Sequence, residues 1–342
     1  MDLLEIDGAA GEGGGQVLRT SLSLSMATGR PFRIRRIRAG RERPGLLRQH
    51  LTAVQATAEV CGAEVEGARL GSTELSVAPG RARHGEHRFA VGTAGSAALV
   101  LQTVIAGLLR APGESRIVVE GGTDNPAAPP SDFLVHVWAP AVRALGVDLH
   151  IEVERRGYYP AGGGRLVATL GVSGALRPFS MLERGATLER RALARVSALP
   201  PNIGHREVHT LRGALGLGRD DLRVEEESAP RGPGNVLSVI WRCEGGVEVH
   251  TAFGSPGKTA ERVAGELATD VARWDAADVP VGIHAADQLV LLLAIAGGGA
   301  IRTLRPSLHT RTQLELVPRF LPVALELEEE PGDRVILRVH PR

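Results

Sequence analysis

The sequence predicts an α/β (α+β) fold of three repeated β-α-β-α-β type units packed around a common axis, with a smaller inserted α/β domain. Three segments share one order of signals: a glycine-containing turn, an apolar helix, a short strand, a second helix and a further strand. Their helices carry apolar residues at positions i, i+3 and i+4, and their strands are β-branched or alternating. Glycines stand at the ends of the helices, because the residue after a helix often adopts a left-handed backbone conformation that glycine accommodates best.

Each unit follows the order helix, strand, helix, strand. The predicted segments are 11–29, 32–40, 43–62 and 63–70 in the first unit; 91–109, 115–123, 129–146 and 147–153 in the second; and 281–299, 300–307, 308–322 and 323–329 in the third. The block between the second and third units does not fit the repeat. We therefore predict a core domain of residues 1–183 and 277–342 and an inserted α/β domain of residues 184–276, in which 228–235 is a surface loop.

Composition excludes several classes of protein. The chain has 342 residues, of which 43% are hydrophobic and 3% aromatic, so its core must be largely aliphatic. Cys61 and Cys243 are too few for a disulfide framework or a cysteine zinc site. The amino terminus lacks a basic segment, and no apolar run is long enough to span a bilayer. We therefore expect a cytoplasmic protein with no membrane partner.

Arginines are concentrated in residues 30–48. This segment contains eight arginines and a single acidic residue, Glu42, although the whole chain carries a net charge of only +1. Arginine binds two phosphate oxygens at once, so this cluster indicates a local anion site. A solvated edge strand with arginines pointing outward is the alternative interpretation.

Polar residues fall at equivalent junctions of the units, where a strand ends and a helix begins. If the units share an axis, these loops meet in one cleft. The residues expected to come together there are Arg41, Arg43, Gln49, His50, Asp124 and His309. Glycines at 11–15 start a helix, where free N–H groups favour an anion. Glu12 beside them is either a ligand of a divalent ion that bridges phosphates or an exposed loop acid.

Two other kinds of site have weaker support. Residues 252–259 follow a strand, precede a helix and contain Lys258, and they partly match a phosphate-binding loop. Alanine replaces the first glycine, however, so a plain strand-to-helix turn is the preferred interpretation. The eleven histidines include no zinc-binding pair, which argues against a zinc site.

Six motifs in order carry a family resemblance. They lie at 11–20, 38–56, 121–133, 156–164, 286–294 and 305–312, and the fourth, RGYYPAGGG, contains the pattern RGxxPxGGG complete. Together they resemble the RNA 3′-terminal phosphate cyclase family. The resemblance implies a three-unit fold with a small inserted domain. It also implies ATP-dependent conversion of an RNA 3′-phosphate end to a 2′,3′-cyclic phosphate, through a histidine–AMP intermediate and then an RNA-(3′)pp(5′)A intermediate.

The resemblance assigns roles residue by residue. His309 would be the catalytic nucleophile, and Glu12 would be associated with a divalent cation, either magnesium or manganese. The expected phosphate and active-site cluster is Arg19, Arg38, Arg41, Gln49 and His50. The expected ATP pocket is Gln102, Pro129, His284, Asp287 and Gln288. His284 stands where tyrosine is usual, Gln313 where some relatives have asparagine, and Arg43 where lysine also occurs.

One other class of function stays open. A relative of the cyclases that has no activity and serves as an RNA-processing scaffold is the alternative, although such relatives are expected to lack the nucleophilic histidine. The residues do not decide between a monomer and a dimer, nor do they identify the biological RNA. An arginine site can hold a terminal phosphate without reading bases, so we expect broad end specificity.

Overall fold

A computed structural model describes residues 3–342, so Met1 and Asp2 of the predicted core domain lie outside the described residues. The first unit contains β1 (Leu4–Asp7), α1 (Gly15–Thr28), β2 (Phe32–Arg35), α2 (Arg48–Cys61), β3 (Glu64–Glu66) and β4 (Leu75–Ala78). The second unit contains β5 (Glu86–Ala90), α3 (Ala97–Leu108), β6 (Gly113–Gly121), α4 (Ser131–Phe133), a π-helical turn (Leu134–Trp138), α5 (Ala139–Ala144), β7 (Asp148–Arg155) and β8 (Gly164–Val172).

The third unit is interrupted after its first strand, β9 (Phe179–Met181). The inserted segment contains β10 (Thr187–Ser197), α6 (Asn202–Leu215), β11 (Leu222–Glu226), β12 (Gly234–Cys243), β13 (Gly246–Phe253) and α7 (Ala260–Ala277). The unit then resumes with α8 (Ile283–Ala296), β14 (Gly299–Leu304), α9 (Leu308–Leu316), a 3₁₀ turn (Val317–Arg319), β15 (Val323–Glu330) and β16 (Arg334–Pro341).

The three units share one sheet topology. Their strand orders are β1-β2-β4-β3, β5-β6-β8-β7 and β9-β14-β16-β15. In each sheet the first two strands pair in parallel and the other pairs are antiparallel. Each unit is therefore β-α-β-α-β-β, so the predicted β-α-β-α-β unit was one strand short. In the first unit the predicted last strand turns back at Gly67, where φ is +83°.

The first helices of the three units, α1, α3 and α8, all contact one another. Every residue of α3 is buried, and all but Gln102 and Thr103 are apolar or glycine, as expected of a helix surrounded by the core. α1 places serines in the same core, and each one forms a hydrogen bond there. Ser23 Oγ, for example, donates to the backbone oxygen of Thr103 in α3 at 3.0 Å. These small side chains let α1 lie close to α3 without leaving a polar group unpaired.

The inserted segment has a sheet and an apolar cluster of its own. Its strand order is β11-β10-β12-β13, and α6 and α7 pack on this sheet. Trp241 and Trp274 meet edge to face at the centre, with ring centroids 5.4 Å apart. The cluster also includes Leu304 of β14, so the insertion packs against the third unit. The division at 184 and 277 stays a prediction.

Charged side chains join the insertion to the second unit. Asp132 in α4 pairs with Arg156 and with Arg195 of β10. Burial alone would raise the pKa of Asp132, but the two guanidinium groups hold it below the ordinary value. Within residues 3–342, no helix is both long and apolar enough to cross a bilayer.

Candidate active site

His309 lies in the first turn of α9, and a set of hydrogen bonds fixes that turn. Ser307 caps the helix: its Oγ accepts from the backbone N–H groups of His309 at 3.0 Å and Thr310 at 3.2 Å. The hydroxyls of Ser307 and Thr310 both donate to one carboxylate oxygen of Asp287. The amide of Gln313 donates to the backbone oxygen of Asp287 at 2.5 Å. α8 therefore holds the start of α9 in place.

The imidazole of His309 has a defined tautomer. Its Nδ1 lies 2.8 Å from the side-chain oxygen of Gln16 in α1. Because a carbonyl oxygen only accepts, Nδ1 carries the proton and Nε2 keeps its lone pair. Burial lowers the pKa of His309, and the nearby charges of Arg19 and Arg41 lower it further. Asp287 raises it, but the net result is a pKa below the ordinary value. The ring is therefore neutral at neutral pH, and the lone pair on Nε2 is available for nucleophilic attack.

The glycine-rich turn before α1 packs directly on α9. The backbone N–H of Glu12 donates to Thr312 Oγ1 at 2.9 Å, and a Cβ on Gly11 would lie 2.2 Å from the same oxygen. The Glu12 carboxylate accepts from the N–H of Gly14 at 2.8 Å and forms an ion pair with Arg41. Its side chain is only 7% exposed, so Glu12 is not an exposed loop acid.

Gly15, at the start of α1, leaves room for two site residues. A Cβ there would lie 2.4 Å from His50 Nε2 and 2.7 Å from a terminal nitrogen of Arg19. Any side chain at this position would displace one or the other. The sequence therefore needs glycine here because of close approach rather than backbone conformation.

His50 is buried and neutral. Its Nδ1 accepts from the backbone N–H of Leu47 at 3.2 Å, so its Nε2 carries the proton and points toward the start of α1. Burial, Arg19 and Arg38 lower its pKa to about 3. At neutral pH this imidazole therefore offers a hydrogen-bond donor without adding a full charge.

The arginines of the predicted cluster have different surroundings. Arg38 is buried and donates to the backbone oxygens of Arg43 and Gly45 at 2.5 and 2.9 Å, so it fixes the loop before α2. The guanidinium group of Arg19 makes no hydrogen bond or ion pair within residues 3–342. Burial and the neighbouring Arg38 lower its pKa to about 10, and it remains charged at neutral pH. Such a cation calls for an anion from outside the chain.

Gln49 connects this cluster to the second unit. Its side-chain oxygen accepts from the backbone N–H of Ser96, the N-cap of α3, at 2.7 Å. Loops of all three units therefore take part in the site. Asp124 does not line it as expected. It is 1% exposed, and its carboxylate accepts from Ser131 and Arg156 in the network that joins the insertion.

The residues expected in the ATP pocket differ in burial. Asp287 is buried and contacts the turn that carries His309. Gln102 is 8% exposed, and neither atom of its amide has a partner in the described chain, which is rare for a buried polar group. Pro129 and Gln288 are half-buried, and the His284 side chain is 89% exposed, 4.0 Å from Asp287.

The donors fit a cation that arrives with a nucleotide rather than a resident one. No group of three or more His, Cys, Asp or Glu side chains able to hold a metal occurs in residues 3–342. Glu12 supplies a single carboxylate. Magnesium in nucleotide sites is commonly held by one or two carboxylates together with substrate phosphates, so one carboxylate is compatible with that role.

Lys258 has a structural role in the described chain. Its ammonium pairs with Glu266 in α7, and Thr259 caps the same helix by accepting from the N–H of Arg262 at 3.3 Å. The turn 252–259 thus begins α7. Sequence reasoning missed Gln16 and Thr312, because each occupies an ordinary helical position and meets its partner in another part of the chain only after folding.

Comparison with known proteins agrees with the motifs. The family model of RNA 3′-terminal phosphate cyclase matches residues 10–327. The RNA 3′-terminal phosphate cyclase of Koribacter versatilis is 48% identical over 343 residues, which is 100% of this chain and 97% of that protein. That of Salmonella paratyphi C is 47% identical over 330 residues, covering 96% and 95% of the two chains.

A more distant likeness is to the enolpyruvyl transferase NikO from Streptomyces tendae, with 11% identity and a TM-score of 0.36, covering 98% of this chain and 48% of that one. The family match and the relatives of nearly half identity extend over almost the whole chain. The chain therefore belongs to the RNA 3′-terminal phosphate cyclase family.

Proposed function

We propose that the protein uses ATP to convert an RNA 3′-terminal phosphate into a 2′,3′-cyclic phosphate, with His309 as the covalent carrier of AMP. The observation that carries this proposal is the hydrogen bond from His309 Nδ1 to Gln16, which leaves Nε2 unprotonated beside the unpaired Arg19. The mutual contacts of α1, α3 and α8 support the packing of three units about a common axis, which brings these residues together.

In the first step, His309 Nε2 attacks the α-phosphorus of ATP. A P–N bond forms, the bond to the bridging oxygen breaks, and pyrophosphate leaves with that electron pair. The proton on Nδ1 stays in place, held by Gln16, so the imidazole ring carries the positive charge while AMP is attached. This charge makes the ring a good leaving group for the next transfer.

In the second step, a 3′-phosphate oxygen of the RNA attacks the AMP phosphorus. The P–N bond breaks and its electron pair returns to Nε2, which regenerates neutral His309. The RNA now ends in a mixed anhydride, RNA-(3′)pp(5′)A. In the third step the adjacent 2′-oxygen attacks the RNA 3′-phosphorus, loses its proton to water and expels AMP, which closes the cyclic phosphate.

The charge of the phosphates needs fixed positive groups in a partly buried site. Arg19 is the best placed, because no acid of the described chain neutralises it. His50 would donate its Nε2–H to a phosphate oxygen near the start of α1, where the helix dipole also favours an anion. Arg38, Arg41 and Gln49 complete the proposed phosphate cluster, Arg38 chiefly by holding its loop.

The proposed adenosine pocket uses Gln102, Pro129, His284, Asp287 and Gln288. The unpaired amide of Gln102 supports this assignment, since a nucleotide would supply the missing partners. Pro129 and the exposed His284 ring would lie on the two faces of adenine. Magnesium or manganese bound to the triphosphate would offset its charge, with Glu12 as the carboxylate beside it.

Labelling with α-³²P ATP and a divalent cation tests the proposal. We expect a covalent adduct that survives alkali and is lost in acid, as a phosphoramidate should be. His309→Ala should abolish it. Lys258→Ala is the matched control and should keep it, since Lys258 contacts α7. Absence of label on the unchanged protein would overturn the enzymatic proposal in favour of the scaffold, and loss in Lys258→Ala alone would favour the phosphate-binding loop.

A further inference from the structure

The turn of residues 157–164 is held rigidly by its neighbours. Thr123 and Asp124 both donate backbone N–H groups to the oxygen of Gly157, at 2.9 and 3.2 Å. The N–H of Gly162 donates to the oxygen of Tyr158 at 2.6 Å. A Cβ on Gly157 would lie 2.2 Å from the backbone nitrogen of Gly164, so the two ends of the turn lie against each other.

The two tyrosines of this turn have opposite surroundings. Tyr158 is 5% exposed, and its hydroxyl donates to Glu227 of the insertion at 3.2 Å. Tyr159 is 71% exposed and makes no side-chain hydrogen bond within residues 3–342. The rigid turn thus presents one large aromatic ring to solvent in a protein with only 3% aromatic residues.

The turn lies next to the active site. A Cβ on Gly162 would lie 2.8 Å from Ala94 Cα, so the turn packs on the loop of residues 91–96. The same loop contacts Gln49: Ser96 donates to its side chain at 2.7 Å, and a Cβ on Gly95 would lie 3.2 Å from its Cβ. One loop therefore separates Tyr159 from the proposed phosphate cluster.

The insertion places a positive charge against the same turn. The aliphatic part of Arg231 packs over Gly163, where a Cβ would lie 3.3 Å from Arg231 Cδ. Arg231 is exposed and forms no ion pair in the part of the chain that the structure describes. Residues 91–96, 157–164 and 228–234, here called the three-loop surface, contain no Asp or Glu although the chain has 39 acids.

We propose that Tyr159 is a stacking platform for a base of the single-stranded RNA that leads to the 3′-phosphate, with Arg231 contacting the backbone beside it. This inference rests on the proposed function, because it extends the path of the same substrate. A flat ring stacks on any base, so the surface holds RNA without reading its sequence. Three loops that contain no acidic residue, one of them with an unpaired guanidinium, complement the RNA backbone.

Equilibrium binding tests this without relying on catalysis. A fluorescently labelled RNA with a 3′-phosphate is titrated with Tyr159→Ala, Tyr159→Phe and, as a matched control, Leu188→Ala, which removes a side chain that is 58% exposed in the insertion. Tyr159→Ala should raise the Kd about 5- to 100-fold, the range of one base–aromatic stack. Tyr159→Phe and Leu188→Ala should change it less than about twofold.

Two further measurements locate the contact. An abasic nucleotide is placed at each position in turn, counting from the 3′ end, and it should weaken binding of the unchanged protein at one position. At that position it should cause no further loss of affinity in Tyr159→Ala. Arg231→Ala should reduce the slope of log Kd against log salt by about 0.7, as for one phosphate contact on a single strand.

The outcomes are distinct from failure of the proposed function. Labelling of His309 by ATP alone should be unchanged in Tyr159→Ala. An unchanged Kd in that variant overturns the platform even if labelling succeeds. Additive effects of Tyr159→Ala and the abasic nucleotide at every position overturn it too. A change of oligomeric state in sedimentation would assign the ring to a second copy of the chain instead, against the proposal.

Discussion

His309 Nδ1 lies 2.8 Å from the side-chain oxygen of Gln16, which stands 293 residues earlier in the chain. The contact joins the first helix of the first unit to the second helix of the third. It fixes both the orientation of the imidazole and the nitrogen that keeps a lone pair, the two properties a nucleophile needs before substrate arrives.

Removing this acceptor should slow the formation of the histidine–AMP adduct. In Gln16→Leu the proton can sit on either nitrogen and the ring can rotate, so we expect a rate about 10- to 100-fold lower, the worth of a hydrogen bond to a group that becomes charged. Single-turnover labelling with α-³²P ATP measures it. Gln16→Glu keeps an acceptor and should retain more activity than Leu; equal rates in the two variants would contradict the role of Gln16.

The rate of adduct formation should depend on the protonation of His309. Its pKa lies below the ordinary 6.5, so the ring stays neutral as pH falls through 6.5 and loses reactivity only when pH falls through the lowered value. Protonation of His50 does not contribute to this pH dependence, because its pKa is about 3. The labelling rate should therefore be flat near neutrality with a midpoint below pH 6.5. A midpoint at or above 6.5 would contradict this.

Gly15→Ala should damage the site more than the fold. The new methyl group would displace His50 or Arg19, and we expect a labelling rate at least about tenfold lower, from about 1.4 kcal/mol of lost interaction. Gly213→Ala in α6 is the matched control, since a Cβ there meets nothing within 4 Å. It should leave the rate unchanged and slightly raise the Tm, because alanine favours helix. A normal rate in Gly15→Ala would show that the space is not needed.

His284→Tyr should tighten ATP binding. The ring is 89% exposed beside Asp287, and a larger aromatic face stacks more strongly on adenine. We expect the Kd for ATP to fall about two- to tenfold, which corresponds to part of the free energy of one base–aromatic stack. Calorimetric titration of ATP into each protein in a His309→Ala background avoids turnover. An unchanged Kd would mean that residue 284 does not contact the base.

Glu207 should make the insertion less stable at high pH. It is fully buried, Oε1 has no partner in the described chain, and burial raises its pKa to about 7. Between pH 4.5 and 7 the folded state binds more protons than the unfolded state, so stability falls as pH rises. Glu207→Gln removes this loss and should raise the free energy of unfolding by up to about 3 kcal/mol at pH 8, with little change at pH 5.

Denaturant unfolding at both pH values measures the effect. Equal differences between Glu207→Gln and the unchanged protein at pH 5 and pH 8 would show that this carboxyl group does not titrate between them.

Local patterns predicted the repeated helices and the convergence of the first and third units. Glycine turns and apolar spacing are short-range signals, and they located the turn before α1 and the start of α9. The extra strand of the first unit was missed because β3 is only three residues long and its turn looks like a strand end. Gln16 was missed because its partner is set by packing between units. Asp124 was misplaced because a polar loop residue can equally serve a buried network.

The interruption of the third unit has a consequence for synthesis of the protein. β9 pairs with β14, and Ser180 and Ala300 in that pair are 120 residues apart. During translation, the first two units and the insertion all emerge before this sheet can close. A nascent chain that ends before β14 also lacks α9, and with it the proposed nucleophile His309. Under the proposed function, the ability to consume ATP is acquired last, when almost all the rest of the polypeptide has left the ribosome.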